Sequence, residues 1–240
     1  MKKDNFFKFN KSKKFSFDDI SDVFDDMLLR SIPFYSEIQR MILDLTKRFI
    51  QPKSNLYDLG SSTGSTLTNI MKNIEIDDVN FIGMDVSESM LKELRLKLKK
   101  YKLENNCILL KHDLNNGVLI EDASVVIMNL TLQFIDPKNR INLLSNIYDG
   151  LRKNGCLILV EKIKFPCSLI EDMFTDFYYS YKKHKGYSDI EIIRKRELLS
   201  DILIPYSARK NISILKKSKF KLIFEFFRWY NFSGVVAIKT

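Results

Sequence analysis

The sequence predicts an α/β domain: a mostly parallel seven-stranded sheet covered on both faces, closed by a C-terminal antiparallel hairpin and carrying a helical insert. Three observations predict it. From residue 55 onward, short apolar runs alternate with helix-periodic segments, the pattern of strands buried on both faces. Near residue 166 the alternation stops, and two helical stretches follow with no strand between them. Two apolar runs, 220–229 and 231–239, then flank a tight turn, as a hairpin at a sheet edge requires.

The elements follow in order. Residues 1–14 carry six Lys and one Asp, interleaved with Phe6, Phe7 and Phe9, whereas 18–26 reverse sign with Asp18, Asp19, Asp22, Asp25 and Asp26. This reads as a basic flexible leader over 1–16 and then an acidic, partly helical lead-in to a single domain over 17–240. Adjacent blocks of opposite charge solvate or pair locally. Pro33 marks a turn, and Ser36 with Gln39 fits a capping box for a helix over 37–49 whose one face holds Ile38, Met41, Ile42 and Leu45. The first strand is expected over 56–59, followed by a Gly/Ser/Thr turn and a helix to about 73. A second strand over 79–85 leads to a helix over 87–101 that aligns Leu91, Leu94, Leu98 and Tyr101. Strands over 107–110 and 124–128, a helix over 137–151 and a strand over 156–161 complete the parallel part. The insert, about 166–200, carries a broad stripe of Leu169, Ile170, Met173, Phe174, Phe177 and Tyr178. A helix over 209–217 precedes the hairpin.

Composition narrows the function classes. With 240 residues, 45% hydrophobic and 12% aromatic, the chain can bury an ordinary core, which excludes wholesale disorder. Eight Gly and five Pro exclude a collagenous or low-complexity chain. Three Cys (Cys107, Cys156, Cys167) without a Cys-x-x-Cys pair, and two His, argue against a disulfide framework and a zinc site. A secretory signal pattern is missing, and no apolar run nears the roughly 20 residues of a bilayer span. A soluble cytoplasmic protein is expected. The net charge of +9 attracts phosphate and keeps a nucleic-acid-binding module open as a reading. Against it, Lys residues far outnumber Arg, a Lys surplus spread over many helix faces also keeps a protein soluble, and most of the surplus lies on the leader and on exposed helix faces, outside the pocket.

In an open parallel sheet, ligands sit at the carboxyl ends of the strands, near the switch in strand order. Four features fall there. The turn Asp58-Leu59-Gly60-Ser61-Ser62-Thr63-Gly64 has two glycines for close backbone approach, and the following helix offers N–H donors. Asp85 closes the second strand, where a carboxylate can accept both hydroxyls of a ribose; a cap for the helix at Ser87 is the alternative. Asp113-Leu114 follows the third strand and could flank an adenine, or Asp113 could simply shape a turn. Asn129 is a polar residue breaking the end of the fourth apolar run.

Tyr57-Asp58-Leu59-Gly60 with Asp85, Asp113 and the closing hairpin resembles a class I S-adenosylmethionine-dependent methyltransferase domain, a Rossmann-like fold. The likeness narrows through Phe17-Asp18, Arg30 to Tyr35, Asn129-Leu130-Thr131-Leu132-Gln133-Phe134, Glu161-Lys162, Gly186-Tyr187-Ser188 and Lys195-Arg196. These segments resemble the carboxy-S-adenosyl-L-methionine synthase family, from about Phe15 to the C-terminus.

The resemblance implies conversion of S-adenosylmethionine and prephenate into carboxy-S-adenosylmethionine and phenylpyruvate, with no metal. It implies a homodimer, with the insert as its interface, and a product passed to a tRNA carboxymethyltransferase for wobble-uridine (cmo5U) modification, without direct tRNA binding or membrane association. It implies Arg196 at the new carboxylate and Tyr35 beside the ligand as catalytic residues. Gly60, Ser61 and Ser62 would lie under the methionine part, Asp85 and Val86 at the ribose, Asp113 and Leu114 around the adenine, and Asn129 beside the sulfonium. Arg suits a carboxylate because its planar fork makes two charge-assisted hydrogen bonds. Taken alone, the run Arg194-Lys195-Arg196 reads as a solvated helix face. Ser61 stands where the family usually has Cys, and Val86 where it often has Asn. His112 and His184 are expected to be structural. No side chain is marked as the base for the methyl proton, and prephenate's own carboxylate is assigned that step. An ordinary methyltransferase acting on a small molecule or tRNA is the competing reading.

Overall fold

The computed structural model describes Asp4, Phe6 and residues 15–76 and 78–240. Nearly all of the expected leader lies outside the described residues. Asp4 is the exception of consequence: it is buried, its backbone N–H donates to Asp26, and its carboxylate accepts from Tyr187 Oη at 2.6 Å.

Seven strands form one sheet: β1 (Asn55–Leu59), β2 (Asn80–Asp85), β3 (Cys107–Lys111), β4 (Ala123–Asn129), β5 (Leu151–Lys162), β6 (Leu222–Trp229) and β7 (Phe232–Ile238). Their order is β3-β2-β1-β4-β5-β7-β6, with β1 to β5 parallel and β7 antiparallel between β5 and β6. The helices are α1 (Phe24–Ser31), α2 (Tyr35–Phe49), α3 (Ser65–Asn73), α4 (Glu88–Tyr101), α5 (Arg140–Gly150), α6 (Ser168–His184), α7 (Asp189–Leu199) and α8 (Ala208–Lys217).

Strand alternation divides the core into two layers. On β4, Val126 and Met128 join Leu143, Leu144 and Ile147 of α5 and Ile214 and Leu215 of α8. Val125 and Ile127 point the other way, to Ile38 and Ile42 of α2, Leu67 and Ile70 of α3 and Leu91 and Leu94 of α4. That two-sided burial is why the strands read as continuous apolar runs. A smaller cluster joins the lead-in to the body through Ile20, Phe24, Met27 and Met90.

Several local expectations change. Ser36 does not cap α2; the helix starts at Tyr35 after Phe34, which takes a left-handed φ of 54°, and Gln39 donates instead to Thr66 Oγ1. The register of the apolar face, not local capping, sets that boundary. A capping box forms at α7, where Ser188 and Glu191 bond reciprocally. β5 starts at Leu151 rather than 156, because its first residues continue pairing beside β4 past a register shift. The helix expected from 137 begins at Arg140, after a 3-10 turn over Leu132–Phe134.

β1 pairs with β2 on one side and β4 on the other, so the strand order reverses between β1 and β4. A crevice opens at their carboxyl ends, where Gly60 and Asn129 lie. The insert, α6 and α7, leaves the end of β5 and returns toward α1, closing the far side of that crevice.

Candidate active site

The crevice deepens into a cavity of about 410 Å³. Tyr35, Gly60, Ser61, Ser62, Asp85, Val86, Asp113, Leu114, Asn129 and Arg196 all line it, so every residue singled out from the sequence converges on one space.

The loop after β1 shapes its floor. Gly60 has φ +76°, and a Cβ there would stand 2.5 Å from the Thr131 side chain. Glycine is therefore demanded twice, by conformation and by contact. The N–H groups of Gly60 and Ser61 both donate to Met84 O, and Ser62 N–H donates to Asp85 Oδ2 at 2.8 Å. These loop donors hold the turn to β2. Asp25 ties the loop from outside, accepting from Thr63 Oγ1, Ser65 Oγ and Lys97 Nζ. Burial works against its charge, but the hydrogen bonds from Lys97 and Thr63 prevail and keep its carboxyl below the usual range.

Asp85 is buried at the end of β2, with Oδ1 accepting from Ser87 N–H and Oδ2 from Ser62 N–H. Burial raises its pKa against those bonds. It does not cap α4: Ser87 does that itself, accepting from Met90 N–H, and Asp18 accepts from the Ser87 hydroxyl. Asp113 does shape a turn, Oδ1 accepting from Asn115 N–H at 2.9 Å, while also lining the cavity. His112 and His184 each bond a backbone carbonyl, of Gly117 and Ser180 respectively. Tyr35 is buried, and its phenol is pushed far up by burial and by the charge of Asp25.

Unsatisfied atoms mark where a ligand belongs. Among the described residues, Asp58 Oδ2, Ser61 Oγ and Asn129 Oδ1 are buried without a partner, and all three residues line the cavity. Buried polar atoms are otherwise almost always satisfied. Three acceptors beside two further carboxylates suit a cationic, hydroxyl-bearing molecule, and S-adenosylmethionine fits that description. Asp58 is under tension: burial first, then the charge of Asp85, pushes its pKa up to about 7, against a backbone hydrogen bond from Leu67. Its place in the motif is legible in the sequence, but not its burial.

The opposite end of the cavity has the reverse charge. Lys162 from the end of β5, Lys182 from α6, and Lys195 and Arg196 from α7 line it with Tyr178 and Tyr179. Lys195 is 8% exposed while Arg196 is exposed, so the Arg194-Lys195-Arg196 run is not a uniformly solvated face. Three lysines of the surplus nonetheless line the cavity. Two of them sit in helices whose buried face becomes visible only when the insert folds back on α1. Lys195 Nζ donates to Ser31 Oγ of α1, and Arg30 stacks over the Tyr187 ring at 4.3 Å. Burial lowers the pKa of Lys162, with Arg196 adding to it and Glu171 opposing. Phe15 and Phe17 of the lead-in complete the rim, Phe17 meeting Phe134 edge to face at 5.2 Å. Glu161, beside this wall, accepts from Leu132 N–H and is pushed to a pKa of about 8 by burial, with Arg140 opposing.

A family profile described as "Methyltransferase domain" matches residues 57–157. The carboxy-S-adenosyl-L-methionine synthase of Methylococcus capsulatus is 43% identical over 92% of this chain and 91% of its own length. That of Nautilia profundicola is 39% identical over 96% and 98%, and that of Escherichia coli is 35% identical over 92% and 89%. Among solved structures, a SAM-dependent methyltransferase from Aquifex aeolicus superposes with a TM-score of 0.61 at 17% identity, covering 95% of this chain and 100% of that one. A putative O-methyltransferase from Nostoc punctiforme gives 0.66 at 14% identity over 93% and 60%. At those identities the structural likeness speaks for the fold alone.

Proposed function

The chain belongs to the carboxy-S-adenosyl-L-methionine synthase family, transferases on the class I methyltransferase fold, and from that premise we propose that it makes carboxy-S-adenosylmethionine from S-adenosylmethionine and prephenate. One observation carries the choice of chemistry: a single cavity has carboxylates at one end and cations at the other. An ordinary methyl transfer needs only the first end. A reaction joining a sulfonium cation to a dianionic partner needs both.

In this reading Asp85 accepts the ribose hydroxyls and Val86 walls them. Asp113 and Leu114 flank the adenine, while Gly60, Ser61 and Ser62 lie under the methionine part. Asn129, with its unpartnered Oδ1, faces the sulfonium, and Tyr35 closes over the ligand. The methyl proton passes to a carboxylate of prephenate and on to the departing ring hydroxyl, which leaves as water. Prephenate loses carbon dioxide as its ring aromatises to phenylpyruvate, and the sulfonium ylide carbon bonds the carbon dioxide carbon. Charge balances: a dianion and a monocation yield phenylpyruvate anion and a product of no net charge. Arg196 holds the new carboxylate through its guanidinium fork. Desolvation in the cavity favours capture over loss of the ylide to water.

The product then supplies a tRNA carboxymethyltransferase acting on the wobble uridine, in the cytoplasm. No helix among the described residues is long and apolar enough to cross a membrane. The chain works as a homodimer through the insert, where Leu169, Met173 and Phe177 of α6 are exposed together with Tyr230. The basic surface does not bind tRNA, and filter binding is expected to lack the steep salt slope of phosphate contacts. Mass spectrometry of the nucleoside formed with S-adenosylmethionine and prephenate tests the whole reading. A product heavier than S-adenosylmethionine by one carboxyl group supports it. S-adenosylhomocysteine as the sole nucleoside product would sink it.

A further inference from the structure

Lys182 stands in an unusual setting. It is 6% exposed, in the last turn of α6, on the cavity wall. Among the described residues no hydrogen bond and no ion pair reaches its Nζ. Its neighbours are aromatic faces, with the Tyr178 centroid at 4.5 Å and that of Tyr179 at 5.8 Å. Lys162 Nζ lies 5.4 Å from the same Tyr178 ring. The charges acting on Lys182 are those of Lys195 and Lys162, both of its own sign. Two other cations in this wall have partners: Glu171 acts on Lys162, and Ser31 and Asp4 act on Lys195.

A buried ammonium without a counter-charge is strongly disfavoured, and cation–π contacts offset only part of that cost. In the free protein burial first, and then the charges of Lys195 and Lys162, lower the pKa of Lys182 and favour loss of its proton, and a ligand that brings the opposite charge favours the ammonium again. The carboxylates on this cavity's wall, Asp58, Asp85 and Asp113, all lie at the ends of β1, β2 and β3, across the sheet from the insert.

We infer that Lys182, with Lys162 beside it over Tyr178, forms the anion subsite for the carboxylate that the second substrate keeps, separate from exposed Arg196, which takes the carboxylate that is transferred. The inference rests on the synthase reading, in which the second substrate is a dicarboxylate and only one of its carboxylates leaves. Two anion sites then hold the two groups apart, and the retained carboxylate anchors phenylpyruvate until carbon dioxide has been captured. The buried position suits the retained group because nothing there needs to move. Arg196, at the open side, suits a carboxylate that must depart with the product.

The test is equilibrium binding of prephenate, by titration calorimetry, to protein loaded with S-adenosylhomocysteine. Lys182→Met keeps the length of the side chain and removes its charge. It is expected to weaken prephenate by about tenfold or more, the scale of one charge-assisted hydrogen bond. Binding of S-adenosylmethionine should stay within about twofold, and the Tm unchanged or raised. Lys182→Arg should recover part of the affinity, which a purely structural role would not predict. Prephenate affinity equal to that of the wild type in folded Lys182→Met, or no prephenate binding by the wild type, overturns the inference. Should Lys182→Met fail to fold, Lys162→Met is held to the same criterion. Turnover is scored separately. Lysine-dependent prephenate binding without a carboxylated product would sink the synthase reading and leave the anion subsite standing.

Discussion

Asp58 offers the sharpest test of the charge arrangement. It is 2% exposed, its Oδ2 has no partner among the described residues, and burial with the Asp85 charge pushes its pKa from 3.8 to about 7. The folded-state pKa is raised, so between those two values the folded protein binds more protons than the unfolded chain. Stability therefore falls as pH rises through that window, and the full penalty is present above it. A rise of that size is worth about 4 kcal/mol at most, and relaxation of the site brings the expected cost to about 1–3 kcal/mol. Asp58→Asn removes the charge and keeps the shape. In the ligand-free protein it should raise the Tm at pH 8 by roughly 2–8 °C for a chain of this length. The gain should shrink toward pH 5, by no more than about 1.4 kcal/mol per pH unit. Thermal melts of both proteins from pH 5 to 9 measure this directly. Binding of the sulfonium substrate supplies the missing counter-charge, so at pH 6.5 it should release a proton from the wild type but not from Asp58→Asn. Calorimetry in two buffers of different ionisation enthalpy reads that release. A stability gain independent of pH, or an Asn variant less stable at pH 8, would refute the reasoning.

Other expectations concern the reaction. Arg196→Ala should abolish formation of the carboxylated nucleoside while S-adenosylmethionine binding stays measurable by calorimetry; equal loss of both would make Arg196 a structural residue. Asp85→Ala should weaken all adenosyl ligands by about 1.5–3 kcal/mol, the worth of charge-linked hydrogen bonds, in the same titrations. Lys195, lowered to about 8 by burial, with Arg30 and Lys162 adding to it and Asp4 opposing, loses its charge as pH rises through that value. The contribution of Lys195 to stability should therefore rise between about 8 and its ordinary 10.5, since the folded state binds fewer protons there, a rise read in thermal melts of the wild type against Lys195→Met. If a carboxylate of prephenate takes the methyl proton, an analogue lacking it should not support deuterium exchange into the sulfonium methyl, a result read by mass spectrometry.

Much of the site is readable in the sequence because its residues end strands. A polar residue closing an apolar run, as Asp85 and Asn129 do, carries its position in the sheet within the local sequence, and parallel strands deliver those ends to one edge. The glycine at 60 is legible from its place in the turn that leaves the first strand, whereas the Thr131 contact that also excludes a side chain there is tertiary. Ser36 misleads because its spacing to Gln39 satisfies a local rule, while the packing of α2 starts that helix at Tyr35 and uses Gln39 elsewhere. Asp25 gives no local sign of holding the Gly-loop, nor Asp18 of bonding Ser87 at the start of α4, because their partners lie 38 and 69 positions away along the chain.

By itself the sequence determined the sheet, the closing hairpin, the insert and the carboxylate-bearing strand ends, since two- and 3.6-residue periodicities are local properties of a chain. The charge is read there along the chain, but a place in the sequence does not say which of those charges face inward. Tertiary structure alone decided that three lysines of the surplus face inward. Lys162, Lys182 and Lys195 come from β5, α6 and α7, and only the return of the insert onto α1 brings them to one wall. Burial is a property of that packing. A lysine on a helix announces a charge, and what surrounds it determines whether the charge meets water or a substrate.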